Sequence, residues 1–157
     1  MKSVQNWLDE YGESHQNPLN KKIHWVCVPA IMFSVMGLWW SIPHGYMPFV
    51  LDNFQLNWAI IITGLILLYY LRLSLIMALG MLILGVMLLA GNSYLDTNFN
   101  TPLWKISLII FVVAWVGQFI GHKIEGKKPS FFQDLQFLLI GPAWLLSFIF
   151  NKFGIKY

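Results

Sequence analysis

Apolar residues fall in long runs separated by short polar stretches, and the run lengths predict the elements. The first run extends from about His24 to Ile42 and ends at Pro43-His44-Gly45. The second and third are continuous from Trp58 to Ala90, interrupted only by Arg72 and Ser74. One bilayer crossing takes roughly 20 residues. The stretch is therefore read as two short, tilted spans, with a tight turn at Arg72. The predicted spans are 23–42, 57–71, 74–91 and 103–122. A fifth apolar segment, 131–150, contains Asp134, Gln136 and Gly141-Pro142. It either crosses or dips in and returns at the Gly-Pro pair.

Ahead of the spans, residues 3–14 predict an amphipathic helix. Ser3 suits the N-cap, and Val4, Trp7, Leu8 and Tyr11 form one stripe at helical spacing. That stripe fits equally well against the rest of the protein or against lipid. Gly12 and Asn17-Pro18 break the pattern, and Pro18 suits the first turn of the next helix. The expected fold class is all-α: a polytopic transmembrane bundle of four spans, with a fifth re-entrant or spanning segment and an N-terminal amphipathic helix. Residues 1–157 form one membrane domain, in which 1–20 are an interfacial helix and a loop carrying His15.

Composition strengthens the membrane reading. Of the 157 residues, 57% are hydrophobic and only 11% charged, against about 25% charged in a soluble domain. So few charges cannot cover a soluble globule. The 17% aromatic content, with eight Trp, suits belts of amphipathic rings at headgroup depth. The net charge of +3 is distributed as short clusters beside apolar runs, which points to topology and lipid contact and not to nucleic acid. With the N-terminus cytoplasmic, four spans put Lys2, Lys21, Lys22, Arg72, Lys123, Lys127 and Lys128 inside and Lys105 outside. A re-entrant fifth segment also keeps Lys152 and Lys156 inside. The expected location is the bacterial cytoplasmic membrane, or the endoplasmic reticulum in a eukaryote. Residues 1–20 are polar and acidic, unlike a signal peptide, so the first span is expected to remain in the mature chain. A lone cysteine, Cys27, excludes an intrachain disulfide and any Cys-rich metal site.

Topology sorts the four histidines. His15 and His24 precede or open the first span, and His122 closes the fourth, which returns to the same side. His44 lies in the opposite loop. Three histidines can therefore meet at the inner interface, and His44 cannot join them. Asn20 and His24 share a helical face at i, i+4, as do Gln118 and His122, with Glu125 one turn further. Polar groups at membrane depth are costly and tend to face partners or function. Each also has a plain structural role open to it: Gln118 as interhelical glue, Glu125 as a partner for Lys123 or Lys128, Cys27 as a small apolar filler. Neutral imidazoles suit zinc, iron, copper or nickel. Spacing leaves a non-haem iron oxygenase, a zinc hydrolase, a bis-histidine haem electron carrier and a non-catalytic module all open.

The stretch Tyr11-x3-His15-x4-Asn20-x3-His24-x4-Pro29 resembles one signature of the Mpo-type 2-hydroxy fatty acid dioxygenase family. Gln118-Phe119-Ile120-Gly121-His122-x2-Glu125-x3-Pro129 resembles the other. Cys27, Lys123 and Ser130 depart from the usual residues there. The resemblance implies an Fe(II)-dependent dioxygenase of fatty acid α-oxidation, taking a long-chain 2-hydroxy fatty acid and O2 to the acid one carbon shorter. A 2-hydroxy acid chelates a metal through its hydroxyl and carboxylate, and its tail can stay among the spans. On this reading His15, His24 and His122 are metal ligands, and Glu125 is a fourth ligand or orients the others. Asn20 and Gln118 hydrogen-bond around them, and Asp134 is held in reserve as ligand or orienter. Lys123, Lys127 and Lys128 would draw the carboxylate to the interface.

Overall fold

A computed structural model of the chain describes residues 3–43, 50–51, 54–55, 57–126 and 137–157. Side-chain caps, more than hydropathy, set where the first four helices start. The Asn17 side chain accepts from the backbone N–H of Leu19 and Asn20, and Pro18 occupies the first turn without needing a hydrogen bond. Helix α2 accordingly runs Pro18–Trp40, starting five residues before the expected span. Helix α1, Val4–Gly12, is capped by Ser3, whose hydroxyl accepts from Asn6 N–H. Its stripe docks on the protein: Val4, Leu8 and Tyr11 are buried in the same cluster as Trp144.

Between α2 and the next helix, Val50–Leu51 (β1) and Phe54–Gln55 (β2) form a two-residue antiparallel pair. Helix α3 is Trp58–Leu73 and α4 is Leu75–Asn98. The break falls at Ser74 and not at Arg72, which stays in the last turn of α3. Ser74 is extended (φ −164°, ψ 132°), and its hydroxyl accepts from Met77 N–H to cap α4. Helix α4 runs seven residues beyond the expected span because its polar end satisfies itself. Asn92, Thr97 and Asn98 each donate to the carbonyl four residues back.

Helix α5 is Leu103–Glu125 and α6 is Ile140–Lys152. The 13 residues of α6 reach about 20 Å at 1.5 Å per residue, short of the roughly 30 Å hydrocarbon thickness. Gly141-Pro142, expected as a point of return, instead lies in the first turn of α6, where proline is tolerated. The earlier part of that segment, 131–136, lies outside the described residues.

Three helices, α2, α4 and α5, are long and apolar enough to cross a membrane, and α3 is a shorter apolar helix. Their outer faces are apolar: Val26, Leu65, Leu68, Ile83, Met87, Ile109 and Val113 are all more than half exposed. A patch of this extent is foreign to soluble monomers. Helix α2 is the hub, packed along α5 and also touching α3, α4 and α6. Small residues permit the close α2–α5 approach. A Cβ at Gly117 would sit 2.6 Å from Cys27 Sγ, and one at Gly121 would run into Asn20 Oδ1. Cys27 is thus a packed filler, clustered with Ile31 and Ala114.

Candidate metal centre

The helices bring His15, His24 and His122 together at one end of the bundle. One ring nitrogen from each lies within 4.8 Å of the others, and all three side chains are buried. Ring centroids are 4.3 Å apart for His15–His24, 5.2 Å for His24–His122 and 5.5 Å for His15–His122. His15 sits in the loop after α1, His24 in the second turn of α2 and His122 in the last turn of α5.

Two tautomers follow from the partners. A carbonyl only accepts, so His15 Nδ1–H donates to Tyr11 O at 2.6 Å and His24 Nδ1–H donates to Asn20 O at 3.0 Å. Both lone pairs are then on Nε2, and the two Nε2 atoms face each other at 2.9 Å. Neutral rings so arranged have no proton to place between them. An extra proton or a cation satisfies the contact. Two imidazole nitrogens at about 2.1 Å from one divalent ion and at a right angle lie roughly 3 Å apart. The donor set and this spacing therefore fit a first-row transition metal. The carbonyl partners fix ring orientation as outer hydrogen bonds do in metal sites.

The surroundings hold these rings in place. Tyr11 stacks on His15 at 4.2 Å and 13°, and Trp144 of α6 lies 5.3 Å from both Tyr11 and His15. Glu125 accepts from the backbone N–H of Gln16 (2.7 Å) and Asn17 (3.0 Å) and from Asn20 Nδ2 (2.9 Å). It latches the end of α5 onto the loop that carries His15. Asn20 is fully buried, and its Oδ1 has no hydrogen-bond partner among the described residues. Gln118 is also buried and lines a cavity with His24 and His122; its Oε1 likewise has no partner there. Lys123 is exposed on the final turn of α5. Asp134, Gln136, Lys127, Lys128 and His44 lie outside the described residues.

Sequence reasoning missed Trp115 and Trp144. Trp115 lines the same cavity, and its Nε1 is buried with no partner among the described residues. The signal was available: Trp115, Gln118 and His122 fall at i, i+3, i+7 on α5. Trp144 carried no such mark, because its place beside His15 depends on α6 folding back.

An apolar-surfaced helical bundle with three convergent imidazoles buried at one end defines the class: a helical protein with a histidine-built candidate metal centre. A family model described as "2-hydroxy-palmitic acid dioxygenase Mpo1-like" matches residues 1–153. The chain belongs to this Mpo1-like family. It is 27% identical over 154 residues to the 2-hydroxy-palmitic acid dioxygenase MPO1 of Saccharomyces cerevisiae, covering 96% of this chain and 82% of that protein. No solved structure matches the chain.

Proposed function

We propose that this protein is an Fe(II)-dependent dioxygenase of fatty acid α-oxidation, embedded in a membrane. It converts a long-chain 2-hydroxy fatty acid and O2 to the acid one carbon shorter. By atom balance, the lost carboxyl carbon leaves as CO2 and the remaining oxygen as water. Family membership and the named activity of the yeast relative support the reaction class. The observation that carries the metal is the His15 Nε2–His24 Nε2 contact at 2.9 Å, with both Nδ1 protons committed to carbonyls.

Each group has a role on this reading. His15, His24 and His122 present nitrogen lone pairs, and the Tyr11 and Asn20 carbonyls keep two of them aimed. Glu125 positions the His15 loop, the orienting role and not the ligating one, since its oxygens already accept from Gln16, Asn17 and Asn20. Asp134 keeps its reserve role as ligand or orienter. Bound Fe(II) would supply Lewis acidity toward the substrate's paired oxygens and activation of O2. Burial of the three imidazoles, with Tyr11 and Trp144 packed against His15, keeps bulk water away from the reacting centre.

The membrane reading takes α2, α3, α4 and α5 as crossings, with α6 and α1 docked at the site end. Lys21, Lys22, Arg72, Lys123 and Lys152 then share the cytoplasmic side with the histidines, and Lys105 faces the other. A haem held between His24 and His122 is disfavoured, because their rings lie only 5.2 Å apart with His15 packed against both, which leaves no slot for a flat macrocycle.

Anaerobic reconstitution with Fe(II), followed by 2-hydroxypalmitate and O2, tests the proposal. The fifteen-carbon acid should form in step with O2 consumption. Absence of that product from an iron-loaded protein would overturn it.

A further inference from the structure

The histidine-end cavity, walled by His24, His122, Trp115 and Gln118, shares Met32 and Leu138 with a second cavity between α2, α3 and α4. The two differ in chemistry. At the histidine end, Trp115 Nε1 and Gln118 Oε1 are buried without partners among the described residues. In the second cavity the interior hydroxyls are already engaged: Thr63 donates to Ala59 O at 2.7 Å and Tyr70 donates to Leu139 O. Space that offers polar atoms in need of partners suits a hydrogen-bonding head. Space whose polar atoms are satisfied suits hydrocarbon, which asks for none.

We propose that one substrate occupies both cavities, with its carboxylate accepting from Trp115 Nε1–H, its 2-hydroxyl donating to Gln118 Oε1, and its acyl tail threaded past Met32 and Leu138 into the α2–α3–α4 cavity. This rests on the reading of the protein as a 2-hydroxy fatty acid dioxygenase. It adds that the tail is held inside the protein and not in the surrounding lipid, so the far wall measures its length. From His24 to Trp39, which also lines the second cavity, α2 rises about 22 Å, the scale of an extended long-chain acyl group. Ala59 and Met36 lie toward the far end, one on each side. Ala59 is 1% exposed and Met36 9%, so a change in size at either alters the cavity and not the outer surface.

Three variants and one label test the inference. Ala59→Leu shortens the cavity and should lower the preference for C20 over C12 2-hydroxy acids by about tenfold or more, since each misfitted methylene in an apolar pocket costs roughly tenfold. Met36→Ala lengthens it and should move the preference the other way. Trp115→Phe should raise KM by a similar factor at all lengths and leave the ranking unchanged. Independently of turnover, a 2-hydroxy fatty acid bearing a terminal diazirine, photolysed under argon, should label residues of Trp58–Leu73 or Leu75–Asn98 that line the cavity. Unchanged length preference in both cavity variants, or label only on outward-facing residues and lipid, overturns the channel. If the unmodified protein turns over no 2-hydroxy acid yet the label lands in the cavity, the reaction assignment falls and the channel stands.

Discussion

Asn20 and Glu125, 105 residues apart in sequence, meet at 2.9 Å where α2 begins and α5 ends. The same Asn20 offers its backbone carbonyl to His24 Nδ1, and the same Glu125 holds the two residues that follow His15. One short contact thus connects all three segments that supply a histidine. Glu125→Ala should weaken iron binding by about tenfold to a hundredfold, as loss of outer partners does in metal sites. Competition against a chelator of known affinity measures it. An Ala variant that holds iron as tightly as the parent would remove Glu125 from the site.

His15→Ala, His24→Ala and His122→Ala should each abolish stoichiometric iron binding and turnover. His44→Ala, in the connection expected on the opposite side, should leave both nearly unchanged. Metal content by elemental analysis and product by mass spectrometry provide the readouts. An active His122→Ala protein would sink the three-histidine site, and an inactive His44→Ala protein would sink the topology.

If the proposed site is right, metal should stabilise the fold, because the three histidine nitrogens converge in the folded chain and not in the unfolded one. A hundredfold excess over Kd contributes about 2.7 kcal/mol. Chelation should therefore lower Tm in detergent by several degrees, and Fe(II) should restore it under anaerobic conditions. No shift on chelation of an iron-loaded sample would mean the metal sits elsewhere.

The α2–α5 seam predicts a size rescue. Gly117→Ala puts a methyl 2.6 Å from Cys27 Sγ, an overpacking that typically costs about 1–3 kcal/mol. Cys27→Ala in the same chain removes the obstructing sulfur and should recover most of that loss. Thermal unfolding of the single and double variants decides it. A double variant no better than Gly117→Ala would contradict the close approach.

Much of this was legible in sequence, for identifiable reasons. The long apolar runs gave α2, α4 and α5, and the parity of crossings put His15, His24 and His122 at one end. The helix limits were less legible, because they were set by hydrogen bonds. Asn17 moved the start of α2 back, Ser74 displaced the break from Arg72, and Asn92, Thr97 and Asn98 carried α4 onward by bonding to their own helix. Whether α1 met protein or lipid was undecidable from a stripe that suits both. Trp144 stayed hidden as well, since an apolar ring announces no role until another segment folds against it.

His15 is carried by a nine-residue helix and its loop, outside the long helices, and that loop is fastened by the carboxylate that ends α5. On the ribosome, His15 and His24 emerge early and His122 late, so the three imidazoles cannot meet until Leu103–Glu125 has been made. Under the proposed function, metal loading would then act as a checkpoint on biogenesis. A stalled chain would lack the third imidazole and the latch together, and the proposed oxygen chemistry would be withheld from any molecule whose assembly is incomplete.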